Sequence, residues 1–462
     1  MLYNDTIAAI ATPPGVGGIA VVRLSGPDAL PILERIFAPA QRGAWKPFRM
    51  RFGRVVTPGG NTLDEALVVY MRAPRSFTAE DVVEISCHGG PLIVDRVLAL
   101  ALAAGARPAE PGEFTMRAFL NGRMDLTQAE ATLDVINART ETGLALAQAQ
   151  LGGWLANAVG QIRAGLLNPL AYLTAMIDFP EDDVDVEEIV PPIETALRQI
   201  ERLRASAAQG MIYRQGARAA LVGVPNVGKS SLLNALLRSD RAIVTPIPGT
   251  TRDTLEETAN IGGIPVVLVD TAGITETNDM VEQIGIERSR AALQSADVAL
   301  LVRDATRPIT DAERELAALT GGKPTIMVLN KTDLLCEEGR TTNDEGTICN
   351  LQLVIGNLQS CVRLSALTGA GLDDLTQAMV STLAGQTLNG DAQLVTNPRH
   401  HDALGRAATH LREVLDSYKR GVPSDLLTID LTAAVSALGE ITGEDINDDL
   451  LNTIFSKFCI GK

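Results

Sequence analysis

Residues 217–239 read ARAALVGVPNVGKSSLLNALLRS, and this stretch decides the fold of the middle of the chain. It contains an apolar run, then a loop with two glycines, then a run with helical spacing. The loop from Gly223 to Ser230 matches G-x-x-x-x-G-K-[ST], a pattern found between a strand and a helix. Its glycines let backbone N–H groups wrap phosphate oxygens, and the helix N-terminus adds partial positive charge. The stretch predicts a phosphate-binding loop in which Lys229 reaches the β- and γ-phosphates and Ser230 ligates Mg²⁺.

Further strand-like runs follow this loop along the chain. They are VVLVD (266–270), DVALLV (297–302) and TIMVLN (325–330), and helical segments separate them. Alternation of strand and helix predicts a parallel sheet flanked by helices. We therefore expect an α/β domain over residues 213–384, inserted between two parts of a helical domain.

Four short motifs follow the loop in order: Gly249-Thr-Thr-Arg-Asp253, Asp270-Thr-Ala-Gly273, Asn330-Lys-Thr-Asp333 and Ser365-Ala-Leu367. Thr251 is placed to ligate Mg²⁺, Asp270 brings a carboxylate near that metal, and Asp333 can pair with the N1–H and N2–H₂ edge of guanine. Each motif alone is weak, but together in this order they identify a Ras-like GTPase domain. We expect the GTP-binding residues to be Asn226, Val227, Gly228, Lys229, Ser230, Ser231, Thr245, Pro246, Ile247, Pro248, Gly249, Thr250, Thr251, Asp270, Thr271, Ala272, Gly273, Asn330, Lys331, Asp333, Ser365, Ala366 and Leu367.

The residue after the Asp270–Gly273 motif departs from Ras-type enzymes, which place a glutamine there to orient the attacking water. Here it is Ile274, whose aliphatic side chain cannot orient water. Asn226 can instead hold a monovalent cation near the oxygen that bridges the β- and γ-phosphates. Carbonyl groups of the first switch, the segment that contains Gly249–Asp253, would complete this cation site. Several carboxylates could orient the attacking water instead, and each can equally be an exposed salt-bridge partner. They are Glu276, Asp279, Glu282 and Glu287.

The composition of the 462 residues bounds the class of protein. Apolar residues make up 46%, charged residues 21% and aromatic residues 3%, and the formal charge is −16. These values are typical of a folded chain of about three domains, and they argue against a protein that only binds nucleic acid. We expect a cytoplasmic location without membrane contact, on three grounds. The cysteines are scattered, and the N-terminus has no basic segment before an apolar core. The apolar runs are shorter than the ~20 residues of a membrane span.

The flanking regions differ in pattern from the GTPase domain. Over residues 1–120, short Val- and Ile-rich runs alternate with helical stretches, which predicts a mixed α/β domain. Residues 121–212 and 385–462 carry long segments at helical spacing, so we expect one helical domain in two parts. The acidic run FPEDDVDVEE (179–188) is interpreted as a solvated loop or helix start rather than a metal site.

Longer segments resemble one family. The chain is similar to the bacterial tRNA-modification GTPase family MnmE (TrmE) in GVPNVGKSSLLNAL, IPGTTRD, DTAGI, VEQIGIERS and the C-terminal FCIGK. It also resembles that family in the N-terminal ATPPGVGGIAVVRLSG, SFTAEDVVEISCHGG and PGEFTMRAFLNGRMDLTQAEA. The resemblance covers essentially the whole chain and is weakest at about residues 336–360.

The resemblance implies an α/β multidomain protein. Its parts would be a folate-binding-like α+β domain over residues 1–120 that forms a homodimer, a helical domain, and an inserted, potassium-stimulated G domain. It implies a heterotetramer with a MnmG-type FAD flavoprotein. That complex would add a carboxymethylaminomethyl or aminomethyl group to carbon 5 of the wobble uridine (U34) of certain tRNAs. The bound groups would be GTP, Mg²⁺, K⁺ and 5,10-methylene- or 5-formyl-tetrahydrofolate.

The matched motifs also imply roles for individual residues. The implied metal ligands are Ser230 and Thr251 for magnesium, and Asn226, Thr245, Ile247 and Thr250 for potassium. Glu282 would position the attacking water. The implied folate contacts are Arg23, Glu80, Arg123 and Lys462. The family commonly has lysine where Arg123 stands, so the charge is kept and the geometry differs.

Two further residues have alternative interpretations. Cys459 stands four residues from the end, but its tail, Cys-Ile-Gly-Lys, does not fit a prenylation signal. Its thiol can be a nucleophile toward uridine carbon 6 or a one-carbon intermediate, or it can have a packing or positioning role. His88 is expected to support a turn rather than to catalyse.

Two other functions compete with the GTP-driven modification of tRNA. One is a ribosome-assembly or regulatory GTPase switch that also lacks the glutamine, and the other is a folate-binding module with a vestigial G domain. The flanking segments favour tRNA modification over a bare switch. Residues 1–120 hold 12 basic and 11 acidic side chains, a net of +1, so the acidity belongs to the rest of the chain. We expect the chain alone to bind tRNA weakly and its complex to bind tRNA well.

Overall fold

A computed structural model describes the backbone of residues 4–178, 189–239, 256–270, 292–335, 357–385 and 393–461. The strands are β1 (Ile7–Ile10), β2 (Gly17–Ser25), β3 (Phe37–Pro39), β4 (Arg51–Val56), β5 (Thr62–Met71), β6 (Val82–Gly89), β7 (Arg107–Pro108), β8 (Ala217–Val222), β9 (Glu256–Ile261), β10 (Ile264–Asp270), β11 (Val298–Asp304), β12 (Thr325–Asn330) and β13 (Leu358–Arg363). The helices are α1 (Ala29–Ile36), α2 (Pro91–Ala103), α3 (Glu113–Leu120), α4 (Leu126–Asn137), α5 (Glu141–Leu151), α6 (Trp154–Asp178), α7 (Val190–Gln215), α8 (Lys229–Ser239), α9 (Asp311–Leu319), α10 (Leu372–Ala384), α11 (Pro398–Lys419), α12 (Ser424–Thr442) and α13 (Asp448–Phe455). The chain divides into two compact units, Met1–Leu133 with Gly439–Lys462, and Asp134–Leu438.

The first unit is built on a seven-stranded sheet in the order β3-β4-β5-β6-β2-β1-β7. Neighbouring strands are antiparallel except β1 and β7, which pair in parallel. Along β5 the side chains alternate between buried and more exposed positions, as expected where only one face of a sheet is covered. On the covered face, Leu33 of α1 and Val97 of α2 join Val68 and Ile85 in one core. The mixed α/β fold predicted for this part of the chain is confirmed.

The C-terminal helix α13 belongs to the same unit. The rings of Phe455 and Phe458 lie 5.4 Å apart between their centres, tilted by 41°, and pack with Leu126 of α4. Gly112, just before α3, has φ +70°, and a Cβ there would lie 2.5 Å from the Phe455 carbonyl oxygen. Only glycine permits both this backbone conformation and this close approach.

The second unit contains a six-stranded sheet in the order β13-β12-β11-β8-β10-β9. All neighbours from β13 to β10 pair in parallel. Every side chain of β11 and β12 is buried, because helices cover both faces of a parallel sheet. The strands predicted at residues 266–270, 297–302 and 325–330 are confirmed as β10, β11 and β12.

The edges of this sheet differ from the prediction. β9 runs antiparallel to β10, so the sheet is not wholly parallel. Gly262 and Gly263 join the two strands with φ of +56° and +90°, and positive φ at both residues is what a two-residue hairpin turn requires. β13 at the opposite edge is a further strand that the sequence analysis did not identify.

Long helices complete the second unit. α7 packs along both α6 and α11. Tyr213 near the end of α7 is 1% exposed and packs into the same core as β8 and β10. Within the described residues, no helix combines the length and apolar character needed to cross a bilayer. The acidic run at 179–188 lies outside them, so its interpretation stays a prediction.

Candidate functional sites

The phosphate-binding loop lies where the sequence predicts it, between the end of β8 and the start of α8. Asn226 and Gly228 have left-handed backbones, with φ of +66° and +97°. A Cβ on Gly228 would collide with the side-chain amide of Asn330. The loop therefore needs glycine here, and it presents the N-terminal N–H groups of α8, which attract anions.

Lys229 occupies the inside of this loop. Its ammonium donates to the carbonyl oxygens of Gly223 at 2.8 Å and Val224 at 3.0 Å, and the residue is 6% exposed. Burial lowers the pKa of Lys229, and the charge of Asp270 partly opposes this. The positive charge is thus held at the loop, in position to pair with phosphate oxygens.

Ser230 and Asp270 form an oxygen pair beside Lys229. The Ser230 hydroxyl donates to a carboxylate oxygen of Asp270 at 3.1 Å, so the first residues of α8 meet the end of β10. A hydroxyl and a carboxylate are ligands that Mg²⁺ takes beside nucleotide phosphates. These two residues fit the metal that the sequence predicts.

Asn330 joins two other parts of the predicted site. Its amide donates to the Val227 carbonyl at 2.9 Å, and its side-chain oxygen accepts from the Ala366 N–H at 3.0 Å. Asn330 is 2% exposed, and Ser365 beside it is 1% exposed. The structure thereby brings the phosphate loop together with the loop at Ser365–Leu367. Asp333 lies half-buried in the short 3₁₀ helix that follows β12.

Lys331 contacts the phosphate loop from the same side. Its backbone is left-handed at φ +66°, and its ammonium donates to the Asn226 carbonyl at 2.8 Å. The same ammonium pairs with Asp304 at the end of β11, at 2.7 Å. Burial alone would raise the pKa of Asp304, but hydrogen bonds from Lys331 and Thr306 outweigh it and lower the pKa to about 2.

Asp304 is a site residue that the sequence analysis missed. A lone acidic residue at the end of an apolar strand is a weak signal, although strand ends are where parallel sheets carry functional side chains. Other predicted nucleotide-site residues lie outside the described ranges, and their roles stay predictions: Thr245, Pro246, Ile247, Pro248, Gly249, Thr250, Thr251, Thr271, Ala272, Gly273 and Glu282.

The predicted folate residues lie in the first unit. The guanidinium groups of Arg23 and Arg123 lie 5.6 Å and 5.0 Å from the centre of one ring, that of Phe77. Arg23 also forms an ion pair with Glu84 at 2.7 Å and donates to the Gly461 carbonyl at 3.3 Å. The C-terminal tail therefore reaches this site, although Lys462 itself is not among the described residues.

Arg117 forms the buried base of the same region and was also missed. It is 1% exposed and pairs with Asp5 at 2.7 Å, Glu113 at 2.9 Å and Glu80 at 3.3 Å. Burial alone would lower the pKa of Arg117, but Glu113 and Glu80 outweigh it and raise the pKa. Glu80 also accepts from the Ser25 hydroxyl at 2.7 Å, so its carboxylate is held from two sides.

The two remaining predicted residues have different outcomes. Cys459 is exposed, and its carbonyl accepts from the Gly112 N–H at 3.4 Å, which does not decide between nucleophile and positioning role. His88 does not support a turn, because it lies within β6. Its ring pairs with Asp64 of β5 at 2.7 Å, and its backbone N–H donates to the same carboxylate at 2.8 Å. The expected place in a turn is therefore wrong, because the cross-strand carboxylate holds His88 in the sheet, and its structural rather than catalytic role stays a prediction.

Comparison with known proteins identifies the family. A family profile described as "MnmE helical domain" matches residues 126–459, and one described as "GTP-binding protein TrmE N-terminus" matches residues 6–123. Among solved structures, Era in complex with MgGDPNP and a segment of 16S ribosomal RNA is 32% identical, covers 42% of this chain and 66% of its own, and has a TM-score of 0.29.

Full-length relatives agree with the profiles. The tRNA modification GTPase MnmE of Roseiflexus castenholzii is 61% identical over 467 residues, covering all of both chains. The protein of the same name from Chloroflexus aurantiacus is 57% identical, over 99% of this chain and 100% of its own. The chain therefore belongs to the MnmE family of tRNA modification GTPases.

Proposed function

We propose that this chain binds and hydrolyses GTP in the modification of tRNA wobble uridine. The observation that carries the proposal is one loop anchored from three sides: Lys229 inside it, Ser230 with Asp270 beside it, and Asn330 behind it. Such an arrangement serves phosphoryl transfer, which needs positioned charge more than covalent chemistry from the protein. The tRNA part rests on the family, whose members cited above are named tRNA modification GTPases.

Each residue of the proposed nucleotide site has its own role in hydrolysis. Lys229 and the N–H groups of the loop neutralise the phosphates, while Ser230 and Thr251 would hold Mg²⁺, which would supply further neutralising charge. Asn226, Thr245, Ile247 and Thr250 would hold K⁺, which would supply positive charge to the phosphates. Glu282 orients the attacking water in place of the missing glutamine. Asp333 accepts the two N–H groups of the guanine edge, which an adenine base cannot offer.

The first unit takes the folate in this proposal. Arg23 and Arg123 share the Phe77 ring and present cationic groups that suit the carboxylates of a tetrahydrofolate tail. Glu80, held by Ser25 and Arg117, offers a carboxylate to the N–H groups of a pterin ring. The 5,10-methylene or 5-formyl group supplies the one-carbon unit. Lys462 would complete the site from the C-terminal tail, with Cys459 acting as a nucleophile or a positioning group.

The assembly follows from the same proposal. The domains would be residues 1–120 for folate and homodimerisation, 213–384 for GTP, and 121–212 with 385–462 for the helical part. A MnmG-type FAD flavoprotein completes a cytoplasmic heterotetramer that binds the tRNA. Residues 121–462 hold 28 basic and 45 acidic side chains, a net of −17, so the partner supplies most of the attraction for the phosphate backbone.

Phosphate release by the full chain tests the nucleotide part. Turnover with Mg²⁺ should be faster in K⁺ than in Na⁺, and equal rates would count against the cation ligands. Glu282→Ala should lose most turnover while GTP affinity stays nearly intact. Glu276→Ala, a neighbouring acidic residue in the same segment, is the matched control and should keep its turnover. An unaffected Glu282→Ala enzyme would move the water-positioning role to another carboxylate.

Nucleoside analysis tests the pathway separately. Transfer RNA from a strain lacking this gene should carry unmodified carbon 5 at the wobble uridines that are normally modified. Normal wobble uridines would refute the assigned pathway and favour a regulatory or ribosome-assembly GTPase, whatever the turnover measured in vitro.

A further inference from the structure

Three ionisable side chains of the second unit converge between two helices, far along the chain from the nucleotide motifs. His410 and Glu413 lie three residues apart on α11, so they share one face of that helix. Asp430 faces them from α12. The His410 Nδ1 atom lies 3.2 Å from a carboxylate oxygen of Asp430 and 3.4 Å from one of Glu413.

The two separations from Nδ1 lie in the range found for atoms that share one metal ion. Nitrogen and oxygen ligands at about 2.1 Å from an ion lie about 3.0 Å apart at octahedral angles and about 3.4 Å apart at tetrahedral angles. One ligand atom from each of the three residues lies within 4.8 Å of the others. A single ion can therefore touch all three with small side-chain adjustments.

The imidazole proton cannot pair fully with both carboxylates of this cluster, whose side chains are 53% and 28% exposed and are otherwise hydrated. The Nδ1 atom of an imidazole carries at most one proton, yet two carboxylates approach that same atom. One proton cannot point at both oxygens, and the second carboxylate keeps its charge against the first. In the described part of the chain, the ion pairs of Glu413 and Asp430 are those with His410. A divalent cation would satisfy both carboxylates and the ring nitrogen together.

A polar cavity of about 320 Å³ adjoins the cluster. His410 lines it, and of the three proposed ligands it is the one that does; the other lining residues are Arg204, His401, Asp402, Gly405, Arg406 and Thr409. The His410 side chain is 33% exposed and Asp430 is 28% exposed, so an ion has a route in and room for water ligands on its open side. A site with three protein ligands and open positions is the arrangement that Zn²⁺ and similar ions adopt outside closed structural sites.

We propose that His410, Glu413 and Asp430 bind a divalent transition-metal ion of the Zn²⁺ class, which clamps α11 to α12. Imidazole with carboxylates suits Zn²⁺ better than Mg²⁺, which prefers oxygen ligands alone. Metal ligation uses the lone pair of Nδ1, so Zn²⁺ and a proton compete for that atom. The site is separate from the nucleotide metal, and the proposal does not depend on GTP hydrolysis.

Calorimetric titration of the full chain with Zn²⁺ tests the site, after metal removal and with Mg²⁺ and GDP present throughout. His410→Ala should bind one Zn²⁺ fewer than the unsubstituted chain, while His401→Ala, its control on the same helix, should bind as many. Zn²⁺ should also raise the Tm of the His401→Ala variant more than that of His410→Ala. Equal stoichiometry and affinity in the two variants would overturn the proposal.

A second variant keeps the test decisive if His410→Ala does not fold. The Glu413 side chain is 53% exposed, so Glu413→Gln should leave folding intact by circular dichroism. It removes one anionic ligand and should weaken Zn²⁺ binding at this site at least tenfold. Unchanged affinity in a folded Glu413→Gln chain would show that the cluster is only a charged hydrogen-bond network.

Discussion

The carboxylate of Asp304 offers a sharp test of how the phosphate loop is held. It pairs with Lys331 at 2.7 Å, and that ammonium also donates to the Asn226 carbonyl at 2.8 Å. Both Lys331 and Asn226 have φ of +66°, a conformation that costs free energy in residues other than glycine. Asp304→Asn keeps the shape of the side chain and removes the charge that holds this arrangement.

The pKa of Asp304 sets the magnitude. A carboxyl lowered from 3.8 to about 2 is stabilised in its ionised form by about 2 kcal/mol. Because the folded pKa is the lower one, this stabilisation is present above pH 3.8 and disappears as the pH falls toward 2. At neutral pH, Asp304→Asn should lose it in full. If all of it were expressed in nucleotide binding, affinity for GDP would fall about thirtyfold, since each 1.4 kcal/mol is a factor of ten.

Two measurements test this prediction. Urea unfolding of the full chain should report a loss of up to about 2 kcal/mol, and binding of a fluorescent GDP analogue should report separately how far the loosened loop weakens nucleotide affinity. Asp311→Asn is the matched control, since Asp311 pairs with a cation at the same distance, Arg314 at 2.7 Å, but is 92% exposed. It should change either quantity by less than about 0.5 kcal/mol. Equal effects of the two substitutions would refute the role of Asp304.

Two further predictions concern the first unit. Arg117→Met should lower the free energy of unfolding by about 1.5–3 kcal/mol, because the buried Glu113 loses one of its two cationic partners and keeps only Arg107; a change of Tm no larger than that of the exposed Arg35→Met would contradict this. Burial raises the pKa of the Cys87 thiol, so at neutral pH iodoacetamide should modify the exposed Cys459 well before Cys87. Mass spectrometry of the two peptides over time checks the order, and equal rates in the folded chain would contradict the assigned burial.

The central strands and the phosphate loop were predictable because burial and phosphate binding each restrict the residue types that can stand there. A strand buried on both faces must be apolar at every position, and β11 and β12 are. The edge strand β9 reads EETANI, a mixed polar run whose pairing the apolar pattern does not indicate. The pair Gly262–Gly263 was nevertheless a hairpin signal, since two consecutive glycines suit the turn that joins β9 to β10.

The partners of the site residues could not be predicted in the same way. Asp304 and Lys331 are 27 positions apart, and Arg117 and Asp5 are 112 positions apart. Nothing in the residue types decides which carboxylate a buried cation meets, because that follows from the order of the strands. β11 and β12 are neighbours in the sheet, and their paired final residues are Asp304 and Asn330. Lys331 is the next residue, so the register brings its ammonium to Asp304.

The guanine motif, Asn330–Asp333, also fixes the direction in which the backbone N–H groups of the phosphate loop point. Adjacent carbonyls of the loop, those of Asn226 and Val227, accept from Lys331 and Asn330, two adjacent residues after β12. In a planar trans peptide the carbonyl and the next N–H point in opposite directions. The N–H groups of Val227 and Gly228 must therefore point away from the guanine motif, on the side where a phosphate can accept them. A substitution that loosens Lys331 or Asn330 should then weaken phosphate binding as well as base recognition, because each side chain holds a carbonyl of the loop.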